Sequence, residues 1–166
     1  MSKAASFREI LKKKKLTDGK YELSLAEFVR PFAENGEEVV VSGRGTSMLP
    51  TIAEDCSLVM APTPESGARA GDILLYARAN GQSVVHRVWR VTRAGYDMLG
   101  DNQLAIERNV PKEAAVALVK TIIYPDKRQK EGHMSLIRLR ARYGWKILRR
   151  LAGRILRRLG LRRAAG

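Results

Sequence analysis

The sequence predicts a mainly β protein with flanking helices: an antiparallel β-sheet domain, N-terminal helices and a basic amphipathic helix near the C-terminal end. Three observations carry this expectation. Between Glu37 and Tyr124 lie six short apolar or β-branched runs, separated by Gly, Pro, Asn and Ser. No long helical pattern lies between them, which argues against parallel βαβ units. Helical periodicity is confined to the two ends. Four segments follow: residues 1–36 helical, 37–125 β, 126–133 a linker, and 134–166 a helical tail.

In the first segment, Phe7, Ile10 and Leu11 share a face before the run Lys12–Lys15, and Thr17-Asp18-Gly19 breaks the pattern. Ser24 and Glu27 then have the spacing of a capping box. Leu25, Phe28, Val29 and Phe32 follow at i, i+3, i+4 and i+7, one apolar helix face. Asn35-Gly36 ends this helix, and Pro31 is expected to kink or shorten it. The strand runs are Val39–Val41, Leu58–Met60, Ile73–Tyr76, Val84–Val91, Tyr96–Leu99 and Ala117–Tyr124. Ala79–Gln82 reads as a hairpin turn, after which Val84, His86, Val88 and Arg90 point to one face. Asp126–Gly132 is polar and reads as the linker. From Met134 to Leu161, the residues Ile137, Ala141, Trp145, Leu148, Leu151, Ile155 and Leu159 line one side, with arginines on much of the other.

The charge is unevenly spread. The chain of 166 residues has a net charge of +14, yet residues 134–166 alone hold eleven Lys or Arg and no acid. The remaining 20 basic and 17 acidic residues leave only +3 on residues 1–133. The tail therefore calls for an anionic partner, an anionic membrane surface before nucleic acid. One cysteine, Cys56, excludes an internal disulfide framework and reads as a small buried side chain. Two histidines without cysteine partners make no metal site, and no cofactor is expected. The longest charge-free runs, Gly45–Ala53 and Cys56–Pro64, have nine residues each, too few for a spanning helix. No secretory signal is visible, so a cytoplasmic protein, at most peripheral on the membrane, is expected.

Three motifs carry chemistry. In Gly43-Arg44-Gly45-Thr46-Ser47-Met48-Leu49-Pro50, the glycines allow a tight turn before Ser47, and Pro50 fixes the chain after it. A serine on such a turn presents its hydroxyl and leaves nearby amides free for an oxyanion. Gly71-Asp72-Ile73 and Ser83-Val84-Val85-His86-Arg87-Val88 form the hairpin that holds His86. Leu99-Gly100-Asp101-Asn102-Gln103-Leu104-Ala105-Ile106-Glu107 runs from a strand into a polar turn, with carboxylates six residues apart. Taken singly, each has a plainer account: a turn, a half-buried strand histidine, and a turn bonding its own backbone.

In this order the motifs resemble the type I signal peptidases, within the wider superfamily that includes LexA-like self-cleaving repressors. Ser47-Met48-Leu49-Pro50 matches the Ser-Met-x-Pro element, Gly71-Asp72-Ile73 the Gly-Asp-hydrophobic strand, and Gly100-Asp101-Asn102 the later Gly-Asp-Asn element. The resemblance covers about residues 43–107. It implies a coiled antiparallel β domain with a shallow substrate groove. Many bacterial members use a serine–lysine pair, but this chain has no lysine between Lys20 and Lys112. His86, in its His-Arg-Val context, matches the archaeal and endoplasmic-reticulum branch, in which histidine is the base. The acids of that branch fall on Asp101 and Glu107, the latter glutamate in place of aspartate. Either could orient the imidazole. Position 45 is glycine where many bacterial relatives have a serine that helps hold the oxyanion, and the membrane anchor usual before the serine motif is not seen.

The resemblance implies a serine endopeptidase: Ser47 attacks a peptide carbonyl of a precursor or leader peptide, His86 acts as base and then acid, and Asp101 or Glu107 supports it. The alternative is a non-catalytic module that binds peptide or nucleic acid with the same scaffold and the basic tail. Oligomeric state is not readable from the sequence.

Overall fold

The computed structural model describes residues 24–158. The helical reading of Phe7, Ile10 and Leu11 lies outside them, as does Leu159. Helix α1 (Leu25–Glu34) has the expected capping box. The Ser24 hydroxyl accepts from the Glu27 amide, and the Glu27 carboxylate accepts from the Ser24 amide at 2.9 Å. Pro31 sits inside the helix, which nevertheless continues to Glu34 and is closed by Asn35 and Gly36. Ala26 and Val29 are the residues it buries.

Eight strands make one antiparallel sheet: β1 (Val39–Ser42), β2 (Ser57–Ala61), β3 (Ile73–Ala77), β4 (Ser83–Thr92), β5 (Gly95–Leu99), β6 (Ile106–Val110), β7 (Ala115–Ile123) and β8 (Gln129–Glu131). The order is β1-β2-β7-β3-β4-β5-β6, with β8 paired to β7. β7 bonds to β3 along its first half and to β2 and β8 along its second. Both faces of β3 are covered, which explains its continuous apolar run. Ile73 and Leu75 join a cluster with Val29, Met48, Leu58 and Ile122, while Leu74 and Tyr76 join Val88, Tyr96 and Met98.

The six expected strand runs are all present, and two strands are additional. β6 contains Glu107, which the sequence placed in a polar turn. β8 falls within Asp126–Gly132, so the expected linker is part of the sheet. A register shift between Val88 and Arg90 breaks the expected alternation at Trp89. His133, exposed just after β8, has its Nδ1 2.7 Å from Asp72 Oδ1. Cys56 is buried, as expected.

One ion pair ties the motif-bearing segments together. Arg87 is fully buried on β4, and its Nε and Nη2 donate to the two oxygens of Asp101 at 2.8 and 2.9 Å. Its Nη1 donates to the carbonyls of Gly71 and Gly132 at 2.7 and 2.8 Å. Asp101 also accepts from the Thr51 hydroxyl and, at 3.4 Å, from Arg142. Removing one partner of such a pair strands a buried charge, whereas an apolar replacement of both does not. Arg87→Ala is therefore expected to lower the unfolding free energy by about 3–5 kcal/mol. The double variant Arg87→Met/Asp101→Leu should lose clearly less, as read by urea denaturation.

Candidate active site

The serine loop leaves β1, turns through Gly43–Gly45 and packs Met48 and Ile52 into the core. Gly45 has φ +91°, a left-handed conformation that side chains disfavour. The Gly100-Asp101-Asn102 turn lies directly on this loop. The Asn102 amide donates to the Ser47 carbonyl at 2.7 Å, and the Asn102 side chain donates to the Thr46 carbonyl at 3.2 Å. Gly100 is required here, because a Cβ would stand 2.8 Å from the Ser47 carbonyl oxygen. The backbone of Ser47 is thus fixed from behind. Its hydroxyl makes no hydrogen bond among the described residues, and neither the Ser47 nor the Met48 amide has an acceptor there.

Ser47 and His86 line the same open cleft of about 1060 Å³. The lining includes Val40–Arg44 with Met48, and Gly81–His86 with Arg78. The structure therefore brings the two sequence-predicted residues to one space.

It treats the two acids differently. Asp101 makes no bond to His86 among the described residues, because its oxygens are taken by Arg87, Thr51 and Arg142. Burial alone would push its carboxyl up, but these donors outweigh burial and hold it below the usual range. Glu107 reaches His86 through an intermediary. The Tyr76 hydroxyl donates to Glu107 Oε2 at 2.7 Å and lies 3.2 Å from His86 Nδ1. Arg78 grips the same carboxylate through Nε and Nη2, the latter at 2.5 Å. The Arg78 bond leads in lowering the Glu107 pKa, against burial and with help from Tyr76.

A tyrosine hydroxyl has one proton. Tyr76 gives it to Glu107, so its oxygen can only accept from His86. That fixes the proton of the neutral imidazole on Nδ1 and leaves the lone pair on Nε2. The only fully buried polar side-chain atom lacking a partner among the described residues is Thr63 Oγ1. Nε2 of His86, also unbonded, therefore keeps contact with solvent. Burial disfavours the charged ring most, and the Arg78 guanidinium adds to it. Together they outweigh the two carboxylates and push the His86 pKa from 6.5 down to about 4. The ring is neutral at neutral pH.

Sequence reasoning missed Tyr76, Arg78, Thr51 and Arg87. Tyr76 was legible only through register: β3–β4 pairing sets Leu74 opposite His86 and Tyr76 opposite Val84, a same-face diagonal neighbour of the imidazole. The Trp89 ring lies 4.8 Å from that of Tyr143 in the C-terminal helix. No group of three or more His, Cys, Asp or Glu suited to a metal ion occurs among the described residues.

Comparison with known proteins adds no relative: no family model, curated protein or solved structure matches the chain.

Removing the Arg78 charge should raise the His86 pKa, since that cation disfavours imidazolium. Proton NMR titration of the imidazole is expected to give a midpoint near 4 in the parent protein and a higher one in Arg78→Met. An unchanged or lower midpoint would contradict the assigned electrostatics.

Proposed function

We propose that the protein is a serine endopeptidase of the signal-peptidase-like type, with Ser47 as nucleophile and His86 as general base. The observation that carries this reading is the shared cleft: Ser47, whose hydroxyl makes no hydrogen bond among the described residues, and the neutral imidazole of His86 line one space. A serine hydroxyl is a weak nucleophile until a neighbouring base accepts its proton.

The chemistry follows in order. Ser47 Oγ attacks the peptide carbonyl as His86 Nε2 takes its proton. The amides of Ser47 and Met48 receive the oxyanion. His86 then returns the proton to the departing amine, leaving an acyl-serine, and water repeats the cycle to release the acid. While the ring is charged, Glu107 stabilises it through Tyr76. Asp101 is a positioning residue: it holds the turn that supports the Ser47 backbone.

The cleft walls suggest how the substrate binds. β1 is an edge strand of the sheet, and β4 pairs with β5 only from Arg87 onward. Residues 83–86 therefore have a strand on one side only. An extended peptide would add to these edges by main-chain hydrogen bonds, with its side chains against Phe28, Val40 and Met48. A precursor or leader peptide, unfolded around its cleavage site, meets that requirement.

A serine-directed phosphonate is expected to label the purified protein and not Ser47→Ala. Equal labelling of both would end the serine assignment. With a peptide library as substrate, His86→Ala should lose about 10²–10⁴-fold in rate, the usual contribution of a general base. Activity needs the neutral ring, which exists above its pKa. The acid limb of kcat/KM should therefore fall near pH 4 rather than 6.5.

A further inference from the structure

Helix α2 (Leu136–Arg158) turns its apolar side away from the domain. The residues that dock it are Leu139, Arg142, Tyr143 and Lys146, spaced i, i+3, i+4 and i+7. Leu139 is buried, and Arg142 donates to the Thr51 hydroxyl at 2.8 Å. The Tyr143 hydroxyl donates to the Leu104 carbonyl at 3.0 Å, and Lys146 Nζ to the carbonyls of Asp101 and Gln103 at 2.9 and 3.0 Å. The docked face is thus largely polar and cationic, and it rests on the turn that supports Ser47.

Ile137, Leu148 and Ile155 are separated by eleven and seven residues, spacings that return to within about 20° of one direction on a helix. That direction is opposite the docked face. They are 84%, 59% and 57% exposed, and Trp145, beside them, is 64% exposed. Arg138 and Arg149 flank this stripe on one side, Arg140 and Arg154 on the other, all exposed. The helix holds eight arginines, one lysine and no acid.

We propose that this outward stripe is a docking surface for an anionic lipid bilayer, on which the helix lies in the interface plane. The charge decides between occupants. A second copy would bring two cationic helices together, at a repulsive cost. Nucleic acid would satisfy the arginines but leave Ile137, Trp145, Leu148 and Ile155 against phosphates. An anionic bilayer surface meets both, with apolar side chains in the acyl boundary and arginines at the headgroups. Among the described residues no helix is long and apolar enough to cross a membrane, so α2 lies on the surface rather than spanning it. This proposal is independent of the peptidase reading.

Cosedimentation of the full chain with vesicles tests it. Vesicles of roughly one-third phosphatidylglycerol in phosphatidylcholine should bind the protein about tenfold or more tightly than phosphatidylcholine alone, and added salt should weaken the binding. Leu148→Glu/Ile155→Glu, at exposed positions, should lose that binding by about tenfold or more while its circular dichroism is unchanged. Equal binding by the variant, or none by the parent, overturns the proposal. So does concentration-dependent dimerisation in the parent that the double variant abolishes, which would make a second copy the occupant. Binding to RNA tighter than to anionic vesicles and indifferent to the double variant overturns it too.

Discussion

The candidate site depends on where one proton sits. The Tyr76 hydroxyl stands between a carboxylate at 2.7 Å and an imidazole nitrogen at 3.2 Å, and it can donate to only one of them. Arg78 decides the outcome. By gripping Glu107 it keeps that carboxylate ionised, so Glu107 is the stronger acceptor and takes the proton. The tyrosine oxygen then faces His86 as an acceptor, and the imidazole is left with Nε2 free. Burial adds the second condition, a ring that is neutral at neutral pH. A ring so hard to charge is a weak base in the free protein. Developing negative charge on a substrate carbonyl would favour the imidazolium, so its affinity for a proton would rise as the reaction proceeds.

A second constraint fixes the framework around that proton. His86 and Arg87 are consecutive on β4, and strand geometry sends their side chains to opposite faces. On one face the imidazole meets Tyr76; on the other, the guanidinium clamps Asp101 and the Gly71 and Gly132 carbonyls. Holding Arg87 therefore holds His86. Asp101 belongs to the turn whose Asn102 amide bonds the Ser47 carbonyl, so the same pair also places the serine loop. Two charges have been taken out of water for this, a cost offset by at least four hydrogen bonds to the guanidinium and by the Thr51 hydroxyl.

Much of the fold was legible because local chemistry and tertiary packing agree. The capping box at Ser24 and Glu27, the turn at Asn80-Gly81 and six apolar runs each became the expected element. β6 and β8 were missed for a physical reason: Glu107, Arg108 and Asn109 are polar, and Gln129–Glu131 is wholly exposed, so neither shows an apolar alternation. Ser47, His86, Asp101 and Glu107 were singled out through motifs and the family they resemble, but the contacts each one makes were not legible there. Spacing cannot say that Arg87 occupies Asp101, or that a tyrosine hidden in an apolar run stands between Glu107 and the imidazole. The tail showed its two faces in sequence. That the cationic side would dock and the apolar side face outward depends on Asp101, Gln103 and Leu104 offering acceptors to it.

The tautomer of His86 tests this account most directly. Long-range proton–nitrogen NMR of the ¹⁵N-labelled protein at neutral pH distinguishes a protonated ring nitrogen from one that holds a lone pair. A neutral ring with hydrogen on Nδ1 and none on Nε2 is expected, with loss of that preference in Tyr76→Phe. A ring protonated on Nε2 in the parent protein would contradict it, since His86 would then have no lone pair to offer Ser47.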